Sequence, residues 1–390
     1  MALRHQFVYL LRWKKPIFSI PNSQFPIPNS QFPVPRSPFP ISLPDFHSKK
    51  TMNHRLLTTW LAICALCFLA ITGCASDLTP NSKAGDISTA IPLNLGFSRH
   101  PSYLPWFVAK QEDLFSTYHQ NIDAKWFEDY GASVDALQSG LLDLNPQSAI
   151  DTIRSVSAGA DLAIVMVSDR SMGNEKIIAN DTIRTVADLK GKKVVLARGG
   201  AHELLLLLGL QKAQLSLDDV TIQILDAEAA TEAFLTGNAD AIGLSAPYTT
   251  RALARQGARE LWSSANFPGL FFNTLSASRQ AIEQYPQKVQ GAIDVWFKTL
   301  DWMEENPLKT HEMMADRSQV SIDDFQGYEL QTKRLSLDDN ESYFRAQNTL
   351  DSFPVAIETI GQLLLESGEI NSKPDVSKLL EAKFVGTRSN

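Results

Sequence analysis

The sequence predicts an α/β protein whose folded part has two lobes. Short apolar segments alternate with amphipathic ones from Ile91 onward, which is the pattern of a parallel sheet flanked by helices. The alternation begins a second time near residue 176, and a stretch of the first series recurs in the second. From about Gln280 only helical patterns continue. Two similar lobes followed by helices account for these three observations.

The first series predicts one α/β lobe. Its strands are IPLNLGF, NIDAKWF, LDLN and LAIVMV. The segments between them, near residues 103–114, 131–139 and 146–158, carry apolar residues at helical spacing. Strands that alternate with helices in this order form a parallel sheet.

The second series repeats this pattern. Its strands are KIIA, KKVVLA, VTIQIL and ADAIGLS, with helices near residues 201–213 and 227–236. ALQSGLLD at 136–143 is echoed by AFLTGNAD at 233–240, and each predicts a helix that ends at a glycine. Each following strand is expected to lead into a helix that starts at a proline, at Asn145-Pro146 and at Ala246-Pro247.

The C-terminal third predicts helices that pack on the first lobe. QAIEQYPQKVQGAIDVWFKTLDWMEENP and FPVAIETIGQLLLESGEI both have helical spacing, and we expect the chain to cross back near residues 265–277. The aromatic residues of the first helix are expected in the core, namely Trp296, Phe297 and Trp302. The predicted lobes comprise residues 90–173 plus 265–390, and residues 174–264.

An export signal precedes the folded part. The run Leu56–Ile71 has 16 residues without a charge and follows the basic MNHR segment, as in a secretory signal. It is shorter than the roughly 20 residues of a membrane-spanning helix. The sequence from Ile71 to Cys74 resembles the bacterial lipobox. We therefore expect residues 52–73 to be removed, Cys74 to be lipidated and residues 74–89 to form a flexible linker, the alternative being a cysteine that ends an anchor helix.

The first 51 residues are not expected to fold. The unit IPNSQFP occurs at Ile20–Pro26 and again at Ile27–Pro33, within a proline-rich stretch that cannot form a packed core. We interpret this stretch as translated upstream DNA or a disordered extension, with Met52 as the true start. The three cysteines all lie at positions 64–74, so the processed chain is expected to have no internal disulfide.

Charge excludes one class of partner. Residues 74–390 contain 28 Lys and Arg against 42 Asp and Glu. A chain this acidic does not favour nucleic-acid binding through a general basic surface.

Several segments resemble the solute-binding proteins of ABC importers, in the nitrate, sulfonate and taurine group. They are FSR at 97–99 with YLP at 103–105, SDRSMG at 168–173, VADLKGKKV at 186–194, AFLTGNAD at 233–240 and PG at 268–269. The DLKGKKV part is common to several binding-protein families and indicates the superfamily better than the ligand. The resemblance implies a two-lobed periplasmic-binding-protein type II fold with the ligand cleft between the lobes.

The resemblance also implies a function and partners. A monomer, without cofactor or metal, would capture a small solute and deliver it to a membrane permease driven by a separate ATPase. Two stretches depart from the family pattern, SAP at 245–247 and RGGAH at 198–202, so the ligand cannot be inferred from it. The alternatives are a sensor ectodomain and a pyrimidine-synthesising enzyme of thiamine metabolism. The enzyme is disfavoured because the processed chain has no cysteine after position 74, no metal-ligand spacing and no phosphate-binding Gly-rich loop.

Polar residues at the strand ends and helix starts are the candidate ligand contacts, because ligands of open α/β sheets bind there and helix N-termini carry free N–H groups. A plain capping or turn role is the alternative for each. The candidates of the first lobe are Ser98, Arg99, Tyr103, Asn145, Gln147, Ser148, Asp169 and Ser171. Those of the second lobe are Arg198, Gly199, Gly200, His202, Ser245 and Tyr248.

The two arginines predict the sign of the ligand. Arg99 and Arg198 each follow a strand, and a guanidinium binds an oxoanion through two parallel hydrogen bonds. The helix start at Gly200 is expected to add a field of the same sign. We therefore expect a ligand with a sulfonate, carboxylate or similar anionic group, unless Asp169 and Glu203 pair with the arginines in a purely structural way.

Overall fold

Two β-sheets organise the part of the chain that the structure describes. The structure is a computed structural model, and it describes residues 91–345 and 352–386. The expected extension 1–51, signal 52–73, linker 74–89 and lipidated Cys74 lie outside these residues. In chain order the strands are β1 (Leu93–Ser98), β2 (Ile122–Phe127), β3 (Leu144–Ser148), β4 (Leu162–Ser171), β5 (Glu175–Ala179), β6 (Lys193–Ala197), β7 (Thr221–Leu225), β8 (Ala241–Ser245), β9 (Arg259–Ser263), β10 (Phe272–Ser278) and β11 (Thr332–Arg334).

Helices connect most of the strands. In chain order they are α1 (Leu104–Gln111), α2 (Leu114–Thr117), α3 (Tyr130–Gln138), α4 (Ala149–Ser157), α5 (Gly200–Lys212), α6 (Ala227–Leu235), α7 (Tyr248–Leu253), α8 (Arg279–Gln284), α9 (Pro286–Glu305), α10 (Pro307–Ser318), α11 (Ile322–Leu330), α12 (Leu337–Phe344), α13 (Phe353–Glu366) and α14 (Val376–Leu379). Short 3-10 turns lie between some of them, among them Pro101–Tyr103 directly before α1.

The first sheet has six strands in the order β11-β4-β10-β3-β1-β2. Strands β1, β2 and β3 are parallel, whereas β10 runs antiparallel to both β3 and β4. The second sheet has five strands in the order β7-β6-β8-β5-β9, with β6, β7 and β8 parallel and β5 antiparallel to its neighbours. The chain passes between the sheets twice, at residues 172–174 and 264–271.

The helix expected to start at Asn145-Pro146 is the first wrong prediction. Residues 144–148 instead form β3, and α4 begins at Ala149 with the side chain of Ser148 as its N-cap. All five residues of β3 are buried and pair with β10, and Leu144 also pairs with β1. Pairing in the centre of a sheet therefore extends the strand past a proline that, in sequence alone, indicates a helix start. At Ala246-Pro247 the expectation is met within one residue, since α7 begins at Tyr248.

Three strands were not expected, namely β9, β10 and β11. β10 has the sequence FNTLSAS, whose polar residues hide the strand pattern, yet it lies between β3 and β4. Its polar side chains bond inside the sheet, as Thr274 Oγ1 does to the carbonyl of Gln147 at 3.0 Å. β11 has only three residues and no apolar alternation, so its existence depends on pairing with the end of β4.

The C-terminal helices pack on the first sheet through aromatic residues. Trp296 of α9 is fully buried, and its ring lies 4.9 Å from that of Trp106 in α1. Phe297 and Trp302 are only half-buried against the core, so the expectation of a core position holds fully for Trp296 alone. The reason is that α9 shows one face to the core and these two residues flank it.

Candidate functional site

A cavity of about 360 Å³ lies between the two sheets. Residues at the carboxyl ends of β1, β3, β6 and β8 line it, together with the starts of α4, α5 and α7. This is the position that the parallel strands predict for a ligand site. Nine of the fourteen sequence-predicted residues line the cavity: Ser98, Arg99, Tyr103, Ser148, Arg198, Gly199, His202, Ser245 and Tyr248.

The other five predicted residues do not line the cavity, and each has a structural role instead. Asn145 and Gln147 are fully buried, and the Asn145 amide donates to Gln147 Oε1 at 3.1 Å. Asp169 accepts hydrogen bonds behind the cavity wall, and Ser171 Oγ lies 2.9 Å from Ser264 Oγ at the crossing between the sheets. For Gly200 and these four residues the capping or packing interpretation fits the structure better than ligand contact.

The N-terminus of α5 is already occupied by a carboxylate of the protein. Asp151 Oδ1 accepts the N–H of Gly200 at 2.8 Å, while its Oδ2 accepts Ser148 Oγ at 2.6 Å and Tyr130 OH at 2.5 Å. Burial, followed by the charge of Asp151, holds the pKa of Tyr130 well above its ordinary value. Asp151 in α4 thus already supplies a negative charge at the Gly200 end of this helix, and the expectation that this end attracts an anionic ligand stays a prediction.

Both arginines reach the cavity, each already paired. Arg99 donates from Nη1 to Gln319 Oε1 and from Nη2 to Glu128 Oε2, both at 2.8 Å. Arg198 donates from Nη2 to Asp135 Oδ2 at 2.6 Å, and its side chain is 48% exposed.

Neither arginine pairs with the acids that the sequence suggested. Asp169 is buried elsewhere, and Glu203 accepts from Arg154 at 2.9 Å. The structural alternative was thus right about carboxylate pairing and wrong about the partners. The partners of Arg99 and Arg198 come from the loop after β2, from α3 and from the end of α10.

His202 enters the cavity wall as a neutral side chain. Its Nδ1 lies 2.8 Å from the carbonyl oxygen of Ala197, and a carbonyl only accepts, so Nδ1 carries the proton. Its Nε2 lies 2.8 Å from Ser245 Oγ and accepts from that hydroxyl. Burial lowers the pKa of His202, which agrees with a neutral ring.

A histidine and a carboxylate join the sheets at the cavity, and sequence reasoning missed both. His100, two residues after β1, places Nε2 3.5 Å from Oε1 of Glu175, the first residue of β5. Glu175 is only 3% exposed. Burial alone would raise its pKa, but the interactions with His100, Ser171 and His202 together outweigh burial and lower the pKa to about 2. A signal was present, since a charged residue opens the apolar strand EKIIA directly after the predicted crossing.

Stacked tyrosines form one side of the cavity. The rings of Tyr103 and Tyr130 lie 5.9 Å apart in a stacked arrangement. Tyr103 OH donates to Asn273 Oδ1 at 2.8 Å, and the Asn273 amide in turn donates to Asp169 Oδ1 at 2.8 Å. Asp169 therefore holds the aromatic wall from behind, and burial raises its own pKa to about 6.

No group of three or more His, Cys, Asp or Glu within residues 91–345 and 352–386 is placed to hold a metal ion. Within the same ranges, no helix combines the length and apolar character needed to cross a membrane.

Residues 100–310 match the protein-family model described as NMT1/THI5 like. This chain belongs to the NMT1/THI5-like family. The match begins at His100, just after β1, and ends inside α10; it includes β2 to β10, whereas β1, β11 and the cavity residues Ser98, Arg99 and Gln319 lie outside it.

Named relatives of this NMT1/THI5-like protein are binding proteins. A protein of Escherichia coli (strain K12), provisionally named an aliphatic sulfonates-binding protein, is 31% identical over 207 residues, which are 52% of this chain and 63% of the relative. A protein of Bacillus subtilis (strain 168) with the same name is 24% identical over 266 residues, 66% of this chain and 77% of the relative. The chain thus spans less than two thirds of the E. coli relative.

Solved structures show the fold. The aliphatic sulphonate-binding protein SsuA of E. coli superposes with a TM-score of 0.61 and 24% identity, over 74% of this chain and 92% of that one. SsuA of Xanthomonas axonopodis pv. citri, solved with bound MOPS, gives 0.62 and 22%, over 74% and 98%. The predicted two-lobed α/β periplasmic-binding-protein fold is confirmed. The desulfurization enzyme DSZB gives 0.55 and 15%, over 75% and 97%, so the fold alone does not separate binding proteins from enzymes.

Proposed function

We propose that this NMT1/THI5-like protein is the solute-binding component of an ABC importer. It captures a small solute with a sulfonate or similar anionic group between its lobes and delivers it to a membrane permease, while a separate ATPase drives import. The protein acts outside the cytoplasm as a monomer anchored through lipid on Cys74. The observation that carries the proposal is the cavity of about 360 Å³ at the strand ends of both sheets, in a family whose named relatives here bind solutes.

The arginines supply the anion-binding donors of this proposal. Arg99 belongs to the six-stranded side and Arg198 to the five-stranded side, so one oxoanion between them contacts both lobes. The carboxylates that now accept from them, Glu128 and Asp135, are 68% and 55% exposed and are readily solvated when a ligand displaces them. Because Asp151 occupies the α5 N-terminus, the guanidinium groups and not the helix end select the anion.

In this proposal one lobe comprises residues 90–173 plus 265–390, and the other comprises residues 174–264. Two crossing segments between sheets suit closure by a hinge around the ligand. Closure would bring the rims of both lobes together and present a changed surface to the permease.

A ligand screen followed by one substitution tests the function. Ethanesulfonate, nitrate and taurine-like sulfonates at 100 times the dissociation constant should each stabilise the protein by about 2.7 kcal/mol, seen as a raised melting temperature. Arg198→Ala should weaken sulfonate binding by about 1.5 to 3 kcal/mol, the scale of a hydrogen bond to a charged group. The melting temperature without ligand should change little, because the pair that Arg198 forms is exposed.

Arg345→Ala is the matched control, since Arg345 is 66% exposed and pairs with Glu341 away from the cavity. The control should bind sulfonates like the unchanged protein. The proposal fails if the tightest ligand carries no anionic group, or if Arg198→Ala lowers stability and leaves affinity unchanged.

A further inference from the structure

A glutamine at the end of α10 forms part of the cavity wall. Gln319 is the residue that follows α10, and it lines the cavity beside Arg99. Arg99 donates from Nη1 to Gln319 Oε1 at 2.8 Å. Among the described residues that line the cavity, Gln319 is the only one from the C-terminal helices. These helices therefore contact the site through this one side chain.

The hydrogen bond from Arg99 orients the amide of Gln319. A guanidinium only donates hydrogen bonds, so the atom that faces it is the amide oxygen, and the amide nitrogen is left for another acceptor. Gln319 Nε2 has no partner among the residues that the structure describes. Gln319 is an exposed residue in the cavity wall, so a small solute can reach its amide. The result is a free N–H donor next to a guanidinium.

The backbone of Gln319 has a conformation that glutamine rarely adopts. Its φ is 59° and its ψ is 42°, in the left-handed region where glycine usually ends a helix because a Cβ is crowded there. The non-glycine residues of the described part with positive φ are Asp113, His119, Gln214 and Gln319. Of these, Gln319 alone lines the cavity. A side chain that is kept in this conformation at a ligand cavity indicates that the side chain itself has a role there.

Arg317, on the last turn of α10, offers a second partner to the carboxylate that Arg99 holds. Its Nη2 lies 3.7 Å from Glu128 Oε1, while Arg99 donates to Glu128 Oε2. The guanidinium of Arg317 lies over the ring of Trp126, with Cζ 3.5 Å from the ring centroid, and this stacking fixes its position. When an anionic group displaces Glu128 from Arg99, the carboxylate can therefore stay paired with Arg317. Gln319 meanwhile continues to hold Arg99.

We propose that Gln319 is a specificity-determining residue of the solute site, whose amide N–H donates to the anionic group of the solute next to Arg99. This inference rests on the proposed solute-binding function and adds a residue to its site. One anionic group has several acceptor oxygens, so it can accept from the guanidinium and from the amide at once. Hydrogen bonds to an ionised acceptor are stronger than those between neutral groups.

Two substitutions at Gln319 test the donor. Binding of ethanesulfonate to the purified full-length chain is measured by calorimetric titration at pH 7. Gln319→Gly removes the side chain, so the affinity should fall about tenfold, the scale of a hydrogen bond to a charged group. The melting temperature without ligand should not fall, because glycine suits the left-handed backbone. Gln319→Glu keeps an acceptor for Arg99 but replaces the donor with a carboxylate oxygen, so the affinity should fall further.

Gln214 provides the matched control. It lies two residues after α5, is exposed, has a φ of 58° and does not line the cavity. Gln214→Gly and Gln214→Glu should bind ethanesulfonate within about twofold of the unchanged protein. Gln214→Gly should also leave the melting temperature unchanged or raise it, for the same backbone reason.

The results separate this inference from the proposed function. If the unchanged protein binds ethanesulfonate and Gln319→Gly binds it equally well, Gln319 is not a donor and this inference is overturned, while the anion site stands. If only Gln319→Glu keeps the affinity, Gln319 merely positions Arg99, and the inference is again overturned. Equal losses in the Gln214 variants overturn it too. If neither ethanesulfonate nor nitrate nor sulfate binds the unchanged protein, the anionic solute of the proposed function is wrong and this inference is overturned with it.

Discussion

Buried polar residues behind the cavity hold the side chains that line it in position. Asp169 lies behind the cavity and receives hydrogen bonds from Ser102 Oγ at 3.0 Å and from the Asn273 amide at 2.8 Å. Asn273 in turn accepts from Tyr103, so the carboxylate sets the position of an aromatic residue that it does not touch. Because Asp169 is fully buried, this support should make stability depend on pH.

Asp169 should lower stability as pH rises through the weakly acidic range. Burial raises its pKa to about 6 in the folded protein, against about 3.9 in the unfolded chain. The folded state therefore binds more protons between those two values, and the free energy of unfolding falls as pH rises across that window. Relative to the unchanged protein, Asp169→Asn should gain about 2.4 kcal/mol between pH 4 and pH 8, because asparagine does not ionise.

Urea unfolding at pH 4, 5, 6, 7 and 8 measures this difference. Asp123→Asn is the control, because Asp123 is 51% exposed and its variant should follow the curve of the unchanged protein. Parallel curves for Asp169→Asn and the unchanged protein would show that Asp169 is ionised in the folded state throughout.

Neighbouring strands and helices pack very closely at two positions of this fold, Gly96 and Gly200. β1 passes β3 so tightly at Gly96 that a Cβ there would lie 2.4 Å from Leu142 Cδ1 and 2.7 Å from Asn145 Oδ1. The start of α5 likewise depends on Asp151 from α4, which joins an element of the six-stranded side to one of the five-stranded side. Close approach between elements, rather than the propensity of either element, decides these positions.

Two glycine substitutions should have opposite effects on stability. Gly96→Ala should destabilise the protein by about 1 to 3 kcal/mol, since the added methyl overlaps its neighbours in a packed sheet. Gly327→Ala in α11 meets no atom within 4 Å and should stabilise by about 0.5 to 1 kcal/mol through helix propensity. Thermal and urea unfolding of both variants measure the two signs. If the two variants changed the stability by the same amount and in the same direction, the side chains around Gly96 would have to rearrange to accommodate the added methyl group.

The two sheets meet through more than the crossing segments. Asn174, in the first crossing, donates to Thr332 Oγ1 at 2.7 Å, and Tyr328 OH in α11 donates to the carbonyl of Pro247 at 3.2 Å. His100 and Glu175 join the sheets again at the cavity. A hinge in this molecule must therefore bend near Asn174 while some of the remaining contacts exchange.

Ligand binding should make the molecule more compact. We expect small-angle scattering from residues 75–390 to give a smaller radius of gyration with saturating ligand, because two lobes joined by short crossings close around the solute. Arg198→Ala at the same ligand concentration should show a smaller change. An unchanged radius at verified saturation would instead indicate a rigid receptor.

The sequence by itself was sufficient to predict the two-lobed α/β fold and most of the strand ends that line the cavity. Periodicity reports which segments are buried on one or both faces, and strand ends are where ligands bind, so Ser98, Arg99 and Arg198 could be selected from local pattern alone. The expected signal and Cys74 remain predictions, since they lie outside the described residues.

Only the tertiary structure decided which groups those residues contact. β10 and β11 depend on partners distant in sequence, the former as a buried polar strand held between β3 and β4. Asp151 occupies the α5 N-terminus, and His100 reaches Glu175, because the two sheets bring together residues that are 49 and 75 positions apart. Hydrogen bonds and charges act over a few ångströms, and no local pattern records which distant group will lie within that range.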